Sequence, residues 1–257
     1  MAETYDNIYE QSPDHYDETL SAEYIALCYK PVRHLVEQQL RPEGVSLLDL
    51  CCGTGVMAEQ IRDLPGLAYL GVDLNGRFLK RARERLGGSD PFQFLEADFL
   101  TFEFDRTFDI ILMINGYHHF KDSDKSRVLR KLHALLKPSG SFVVFEMCVA
   151  RHETREALAR ANDDFYRKRI DWVKKTESMT PRKLAAWQNH RELSVSAEDE
   201  YKVDYDYMLR DFRTGGFVTE HESKIWPPPD ERLFEDPKVG DFLFLFRKTG
   251  DRDGKRG

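Results

Sequence analysis

The chain has 257 residues, long enough for one well-packed domain with an appended subregion and short for two independent domains. Its 41% hydrophobic and 32% charged residues make a globular composition and exclude a disordered one. A formal net charge of -7 argues against a large nucleic-acid substrate, because an acidic surface repels phosphates unless a local basic patch overrides it.

In chain order, residues 1–18 are rich in Tyr, Asp and Glu and read as loop or a mobile first helix. Leu20, Tyr24, Leu27, Val32, Leu35 and Val36 recur at roughly helical spacing, with Pro31 a potential kink and Arg41-Pro-Glu-Gly44 a break. Then short apolar runs alternate with amphipathic stretches. Strands are predicted over Val45–Leu50, Ala68–Val72, Phe92–Leu95, Phe108–Ile114 and Ser141–Phe145. Helices are predicted over Val56–Leu64, over Arg77–Leu86 up to Gly87-Gly88, and over Lys125–Leu136 up to Lys137-Pro138-Ser139-Gly140. This order implies a mostly parallel sheet with helices on both faces. From Arg151 to about Phe212 the chain is highly charged and reads as a helical cap with interleaved aromatics. Two further strands, Phe217–Trp226 and Asp241–Arg247, close the pattern. The expected organisation is an N-terminal helical lid (1–43), an α/β core (44–150), a helical cap (151–213), completing strands (214–248) and a disordered tail (249–257).

The informative stretch is Leu47-Leu-Asp-Leu-Cys-Cys-Gly-Thr-Gly55, a buried strand running into a glycine turn before a helix. Gly53 and Gly55 permit backbone conformations that a side chain obstructs, and let a ligand approach the main chain at the positive end of the next helix. Taken alone, Gly53-Thr-Gly-Val-Met-Ala58 also satisfies the dinucleotide pattern, and Asp73 stands where a ribose-binding acid is expected in either case. Asp49, just before the loop, helps to separate them. A carboxylate there repels a pyrophosphate and favours ammonium and sulfonium charge; its structural alternative is an acid that ties down the loop. Asp98 follows the third strand, so it belongs at the same carboxyl edge, with Phe99 or Leu74 flanking a bound ring; alternatively Asp98 is only a helix cap.

These motifs, with Gly71-Val-Asp-Leu74, Glu96-Ala-Asp98, Phe108-Asp-Ile-Ile-Leu112 and Leu136-Lys-Pro-Ser-Gly140, resemble in order those of class I S-adenosylmethionine (SAM)-dependent methyltransferases over about residues 44–148. The resemblance implies a Rossmann-like α/β fold, with a seven-stranded, mostly parallel sheet whose last strand is antiparallel. It implies SAM as cofactor and S-adenosylhomocysteine as product. It places the glycine loop with Cys51, Gly53 and Gly55 beside the methionine part, Asp73 on the ribose hydroxyls, Asp98 at adenine and the backbone near Asn115 at the sulfonium. The chain departs from the pattern in having Cys51-Cys52 where small residues are usual.

Methyl transfer from a sulfonium is an in-line displacement, so the protein chiefly holds the acceptor behind the methyl carbon, and a base helps only if the acceptor must lose a proton. Asn115-Gly-Tyr-His-His-Phe120 follows the fourth strand. His118 or His119 is a candidate general base and Tyr117 a candidate acceptor-orienting group; the alternative for the histidines is a structural turn. Tyr5, Tyr9, His15 and Tyr16 are candidate lid residues facing the acceptor, against a frayed terminus. Arg151, His152, Tyr166 and Arg169 are candidates from the cap whose direction the sequence leaves open. No metal site is expected, since adjacent ligands at one turn lack the usual spacing and Cys51-Cys52 belong to a buried loop.

The leading expectation is O- or N-methylation of a small-molecule acceptor by a monomer or homodimer. The alternatives are a tRNA-base or protein-modifying methyl or carboxymethyl transferase of the same fold, and a nicotinamide-dependent reductase or a non-catalytic SAM-binding protein. No apolar run is long enough for a bilayer span, and Met1 to Asp14 lacks the basic and apolar regions of a signal peptide. Cys28, Cys51, Cys52 and Cys148 show no staple-like spacing, so a cytoplasmic setting is expected.

Overall fold

A computed structural model of the chain describes residues 13–86, 91–196 and 200–250. Tyr5, Tyr9, Gly87, Gly88, the side chain of His15 and the tail from 251 onward lie outside the described residues. The elements, in order, are α1 (Pro13–Glu18), α2 (Ala22–Glu37), β1 (Val45–Leu50), α3 (Val56–Ile61), β2 (Leu67–Asp73), α4 (Gly76–Leu86), β3 (Phe92–Glu96), β4 (Phe108–Ile114), a 3₁₀ turn at Tyr117–His119, α5 (Asp122–Leu135), β5 (Leu136–Cys148), α6 (Arg155–Thr176), α7 (Pro181–Ser196), α8 (Tyr205–Thr214), β6 (Phe217–Trp226) and β7 (Gly240–Lys248). The seven strands form one sheet in the order β3-β2-β1-β4-β5-β7-β6. β7 alone runs antiparallel, pairing with both β5 and β6. This is the Rossmann-like arrangement with an inverted last strand.

Strand period decides the layers. Successive side chains of a strand leave on opposite faces. Leu48 and Leu50 of β1 and Ile111 and Met113 of β4 therefore join one core, with Val128 and Leu132 of α5 and Met208 and Phe212 of α8. Leu47 of β1 and Ile110 and Leu112 of β4 join the other, with Val32 and Val36 of α2 and Met57 and Ile61 of α3. Each fully buried side chain of this size is worth about 1.5–3 kcal/mol, so β4, buried almost throughout, anchors both faces.

Several bounds differ from the sequence pattern, among them the end of α3, at Ile61 rather than Leu64. α5 begins at Asp122 rather than Lys125, with Asp122 and Asp124 in the first turn, where carboxylates suit the helix dipole. β5 begins at Leu136, directly after α5, and not at Ser141. Leu136 pairs with Phe108, the next pairing is Ser141 with Ile110, and Lys137–Gly140 bulge out between them. Pro and Gly there mark an irregularity inside a strand, which local sequence does not distinguish from a turn. Helix α2 continues through Pro31.

Helices α6 and α7 pack on each other and form a third core with the ends of β5 and β6, through Phe165, Ile170, Trp187, Met147 and Trp226. Helix α8 instead belongs to the layer on the sheet, where Phe212 stacks on Phe142 at 5.6 Å. Among the described residues no helix is long and apolar enough to cross a membrane.

Candidate active site

All the parallel strands end at one edge of the sheet, and the cleft lies along that edge, under α1, α6 and α7. At its β1 end the glycine loop is held by Asp73. One carboxylate oxygen accepts the Gly53 N–H at 2.9 Å and the other accepts the Asn75 N–H at 2.9 Å. Burial raises the Asp73 carboxyl and these backbone donors pull against it. The loop-tying role weighed for Asp49 thus falls to Asp73. Each carboxylate oxygen has a further lone pair, so Asp73 can still accept from ligand hydroxyls.

The two motif glycines do different work. A Cβ on Gly55 would stand 2.8 Å from the Ala82 Cβ, so Gly55 is needed for α3 and α4 to approach. A Cβ on Gly53 would meet only Phe78, at 3.9 Å, and would otherwise occupy the cleft. Both have positive φ, as does Cys51 at 60°.

Asp49 sits one step deeper. It is buried and accepts a hydrogen bond from the Tyr69 hydroxyl at 2.6 Å. It lines a small cavity that adjoins the main cleft and shares Tyr16, Cys51 and Ile114 with it. Burial pushes its carboxyl up to about 7, with Tyr69 opposing and Asp73 adding to the rise. Asp98, Leu74 and Phe99 line the cleft at the β2–β3 end, where Asp98 also accepts the Leu100 N–H at 2.8 Å. Asn115 stands at the end of β4 with φ 50°, and its side-chain Oδ1 is buried with no hydrogen-bond partner among the described residues.

Past β4 the cleft becomes a polar chamber roofed by aromatics. His118 Nδ1 lies 2.7 Å from Glu146 Oε1, which also accepts the Met147 N–H; Glu146 Oε2 accepts the Tyr117 N–H. Burial works against the Glu146 charge, but His118 and Lys202 outweigh it and hold the carboxyl below its ordinary range. The Glu200–Lys202 ion pair, 2.8 Å long and buried, faces the same chamber. Burial, together with the neighbouring His118, depresses His119 well below the usual imidazole range, and burial brings His190 down to about 4.

Tyr117 is a correction. It points away from the cleft, its hydroxyl donating to Asp211 on α8 at 2.7 Å and its ring packed on Phe212. The backbone turn that brings His118 inward sends its neighbour to the opposite side. Of the lid candidates, Tyr16 lines the cleft against Phe78 and His190. Asp17 fastens α1 there by accepting from Thr54 at 2.7 Å and Arg85 at 2.8 Å. Of the cap candidates, Tyr166 and Arg169 line the cleft, whereas Arg151 pairs with Glu153 at the surface and neither it nor His152 reaches the wall. The sequence reading missed Glu146, Glu200, Lys202, His190 and Tyr24, whereas Trp187, one of the interleaved cap aromatics, lines the cleft. A carboxylate inside the apolar run of β5 was the one available signal for Glu146.

Residues 47–140 match a family model described as a methyltransferase domain. The demethylmenaquinone methyltransferase of Thermotoga maritima is 35% identical over 45% of this chain and 49% of its own length. The ubiquinone/menaquinone biosynthesis C-methyltransferase of Pseudoalteromonas translucida is 35% identical over 48% of this chain and 49% of its own length. The chain thus spans about half the length of these curated relatives. The crystal structure of an S-adenosylmethionine-dependent methyltransferase from Mesorhizobium loti superposes with a TM-score of 0.55 at 19% identity, covering 89% of this chain and 98% of that one. That likeness is one of fold.

Proposed function

We propose that the chain is a class I SAM-dependent methyltransferase, in keeping with the match of residues 47–140 to a methyltransferase domain, and that it methylates an oxygen or nitrogen of a small-molecule acceptor held under the α6–α7 cap. One observation carries this reading. A single cleft receives carboxylates from the ends of β2 and β3 at one side and a buried His118–Glu146 pair at the other.

The residues present fit the adenosyl ligand. Gly53 leaves room in the cleft that a Cβ would fill, and Asn115 Oδ1 is an unsatisfied acceptor beside it. Asp73 would accept from the ribose hydroxyls and Asp98 from the adenine amino group, with Leu74 and Phe99 against the ring. Cys51 and Gly53 would lie along the methionine part, and Asp49 below would favour its positive charge. When bound, SAM supplies an electrophilic methyl group on a sulfonium.

The chain's own task is then to place the acceptor and take its proton. Ionised Glu146 calls for a donor, so in the neutral form of His118 the proton sits on Nδ1, and Nε2 keeps a lone pair. Nε2 is therefore the base, and the imidazolium formed is stabilised by Glu146. His119, held neutral far below the usual range, is the weaker candidate. Tyr16, Tyr24 and Trp187 exclude water from the chamber. Four free cysteines, three of them buried, accord with a cytoplasmic setting.

The test is incubation of the protein with methyl-labelled SAM and a metabolite extract, followed by mass spectrometry. A labelled small molecule and S-adenosylhomocysteine are expected. Binding of NAD without binding of SAM would overturn the proposal. The names of the two quinone-pathway relatives favour a second reading, a quinol-like carbon acceptor. The carbon chemical shift of the transferred methyl separates it from O- or N-methylation.

A further inference from the structure

Resting on the reading that the acceptor occupies the chamber under the cap, we infer that Arg169 seats a carboxylate carried by that acceptor. Arg169, on α6, is 1% exposed and forms part of the cleft wall. Its guanidinium stacks on the Trp226 ring at 3.6 Å, and the Tyr24 ring lies on it at 5.6 Å. Its NH2 pairs with Asp241. Its Nε and NH1 hydrogen-bond nothing among the described residues and are sealed from bulk water.

Rings across the faces of a guanidinium leave its edges as the hydrogen-bonding directions, and those edges carry donors that match carboxylate oxygens. A buried cation with unused donors is costly to keep. A ligand oxygen brought against that edge would recover that loss. Lys202, also buried on the wall, is paired with Glu200, so Arg169 is the cation whose unused donors face a ligand. Met147, Trp187 and Leu193 supply an apolar surround that strengthens an ionic hydrogen bond and suits a flat hydrocarbon body.

Position assigns the donors to the acceptor rather than to the cofactor. Asp241 is on β7 and Trp226 on β6, whereas the glycine loop follows β1. In the sheet order β7 lies three strands beyond β1, about 14 Å at the usual strand spacing. Charge favours a monoanion over a phosphate dianion, because Asp241, Glu200 and Glu146 already bring negative charge to this end.

The test is calorimetry on the full chain saturated with S-adenosylhomocysteine, titrated with acetate, phenylacetate and 3-phenylpropionate and with the amide of each. At least one acid is expected to bind about tenfold or more tightly than its amide. Arg169→Lys keeps a cation against Asp241 but removes the planar edge, and should erase that preference while leaving S-adenosylhomocysteine affinity unchanged. No acid preferred over its amide, or a preference that survives Arg169→Lys, overturns the inference. So does a loss of S-adenosylhomocysteine affinity in the variant, which assigns Arg169 to the cofactor's own carboxylate. If the unmodified chain fails to bind S-adenosylhomocysteine, the methyltransferase reading falls and this one with it; a missing acid preference alone leaves that reading standing.

Discussion

Glu146 on β5 holds the Nδ1 of His118 at 2.7 Å, across the pairing of two adjacent parallel strands. The pair is buried, and the same carboxylate also accepts the Tyr117 and Met147 backbone N–H groups. A carboxylate with this many donors fixes the imidazole's ring orientation and tautomer.

His118→Ala is expected to slow label transfer from SAM by about 10²–10⁴-fold, the range of a lost general base, with S-adenosylhomocysteine affinity unchanged. Glu146→Gln should slow it less and shift the pH–rate profile. Unaltered turnover in His118→Ala removes histidine from the base role.

Glu146 also makes stability depend on pH. Its folded carboxyl titrates below its unfolded value, so its contribution is complete above about pH 4.3 and is lost as pH falls through the lower folded value. The stability gap between the unmodified chain and Glu146→Gln, measured by denaturant unfolding, should narrow as pH drops below about 4. A gap that stays constant contradicts the assignment.

Asp49 has the opposite sign. Its folded carboxyl is raised to about 7, so its effect on stability is most favourable below the unfolded value and fades as pH rises through about 7. A cationic ligand nearby favours the ionised form. SAM binding near pH 7 should therefore release up to about half a proton per site, since about half of the Asp49 carboxyls are protonated there. Titration calorimetry in buffers of different ionisation heat checks this, and Asp49→Asn should abolish the release. Equal heats in all buffers would show that Asp49 does not sense the ligand.

Gly55→Ala should lose about 1–3 kcal/mol of stability, because its Cβ collides with Ala82 at positive φ. Gly53→Ala should lose less stability but weaken S-adenosylhomocysteine binding, because its Cβ enters the cleft. Thermal unfolding and calorimetry on the two variants separate the effects. Identical behaviour would mean that the loop acts only as a packing element.

Tyr117→Phe should cost about 1 kcal/mol through the lost Asp211 hydrogen bond and leave methyl transfer intact. A large fall in turnover at unchanged stability would return Tyr117 to the acceptor.

Local pattern determined what depends on near neighbours. The apolar runs at Val45–Leu50 and Phe108–Ile114 match β1 and β4 residue for residue. The strand–glycine–helix stretch and the acids at the ends of β2 and β3 predicted one shared cleft edge, since a parallel sheet brings successive strand ends together by topology alone. Tertiary structure decided the rest, because it depends on residues far apart in the chain. Glu146 becomes the partner of His118 only when β5 lies beside β4. Met208 and Phe212, inside a charged segment, join the sheet layer only once β6 and β7 supply its surface. Arg169 gains its meaning from Asp241 and Trp226, which meet it from two strands of the sheet, and no spacing along the chain encodes that encounter.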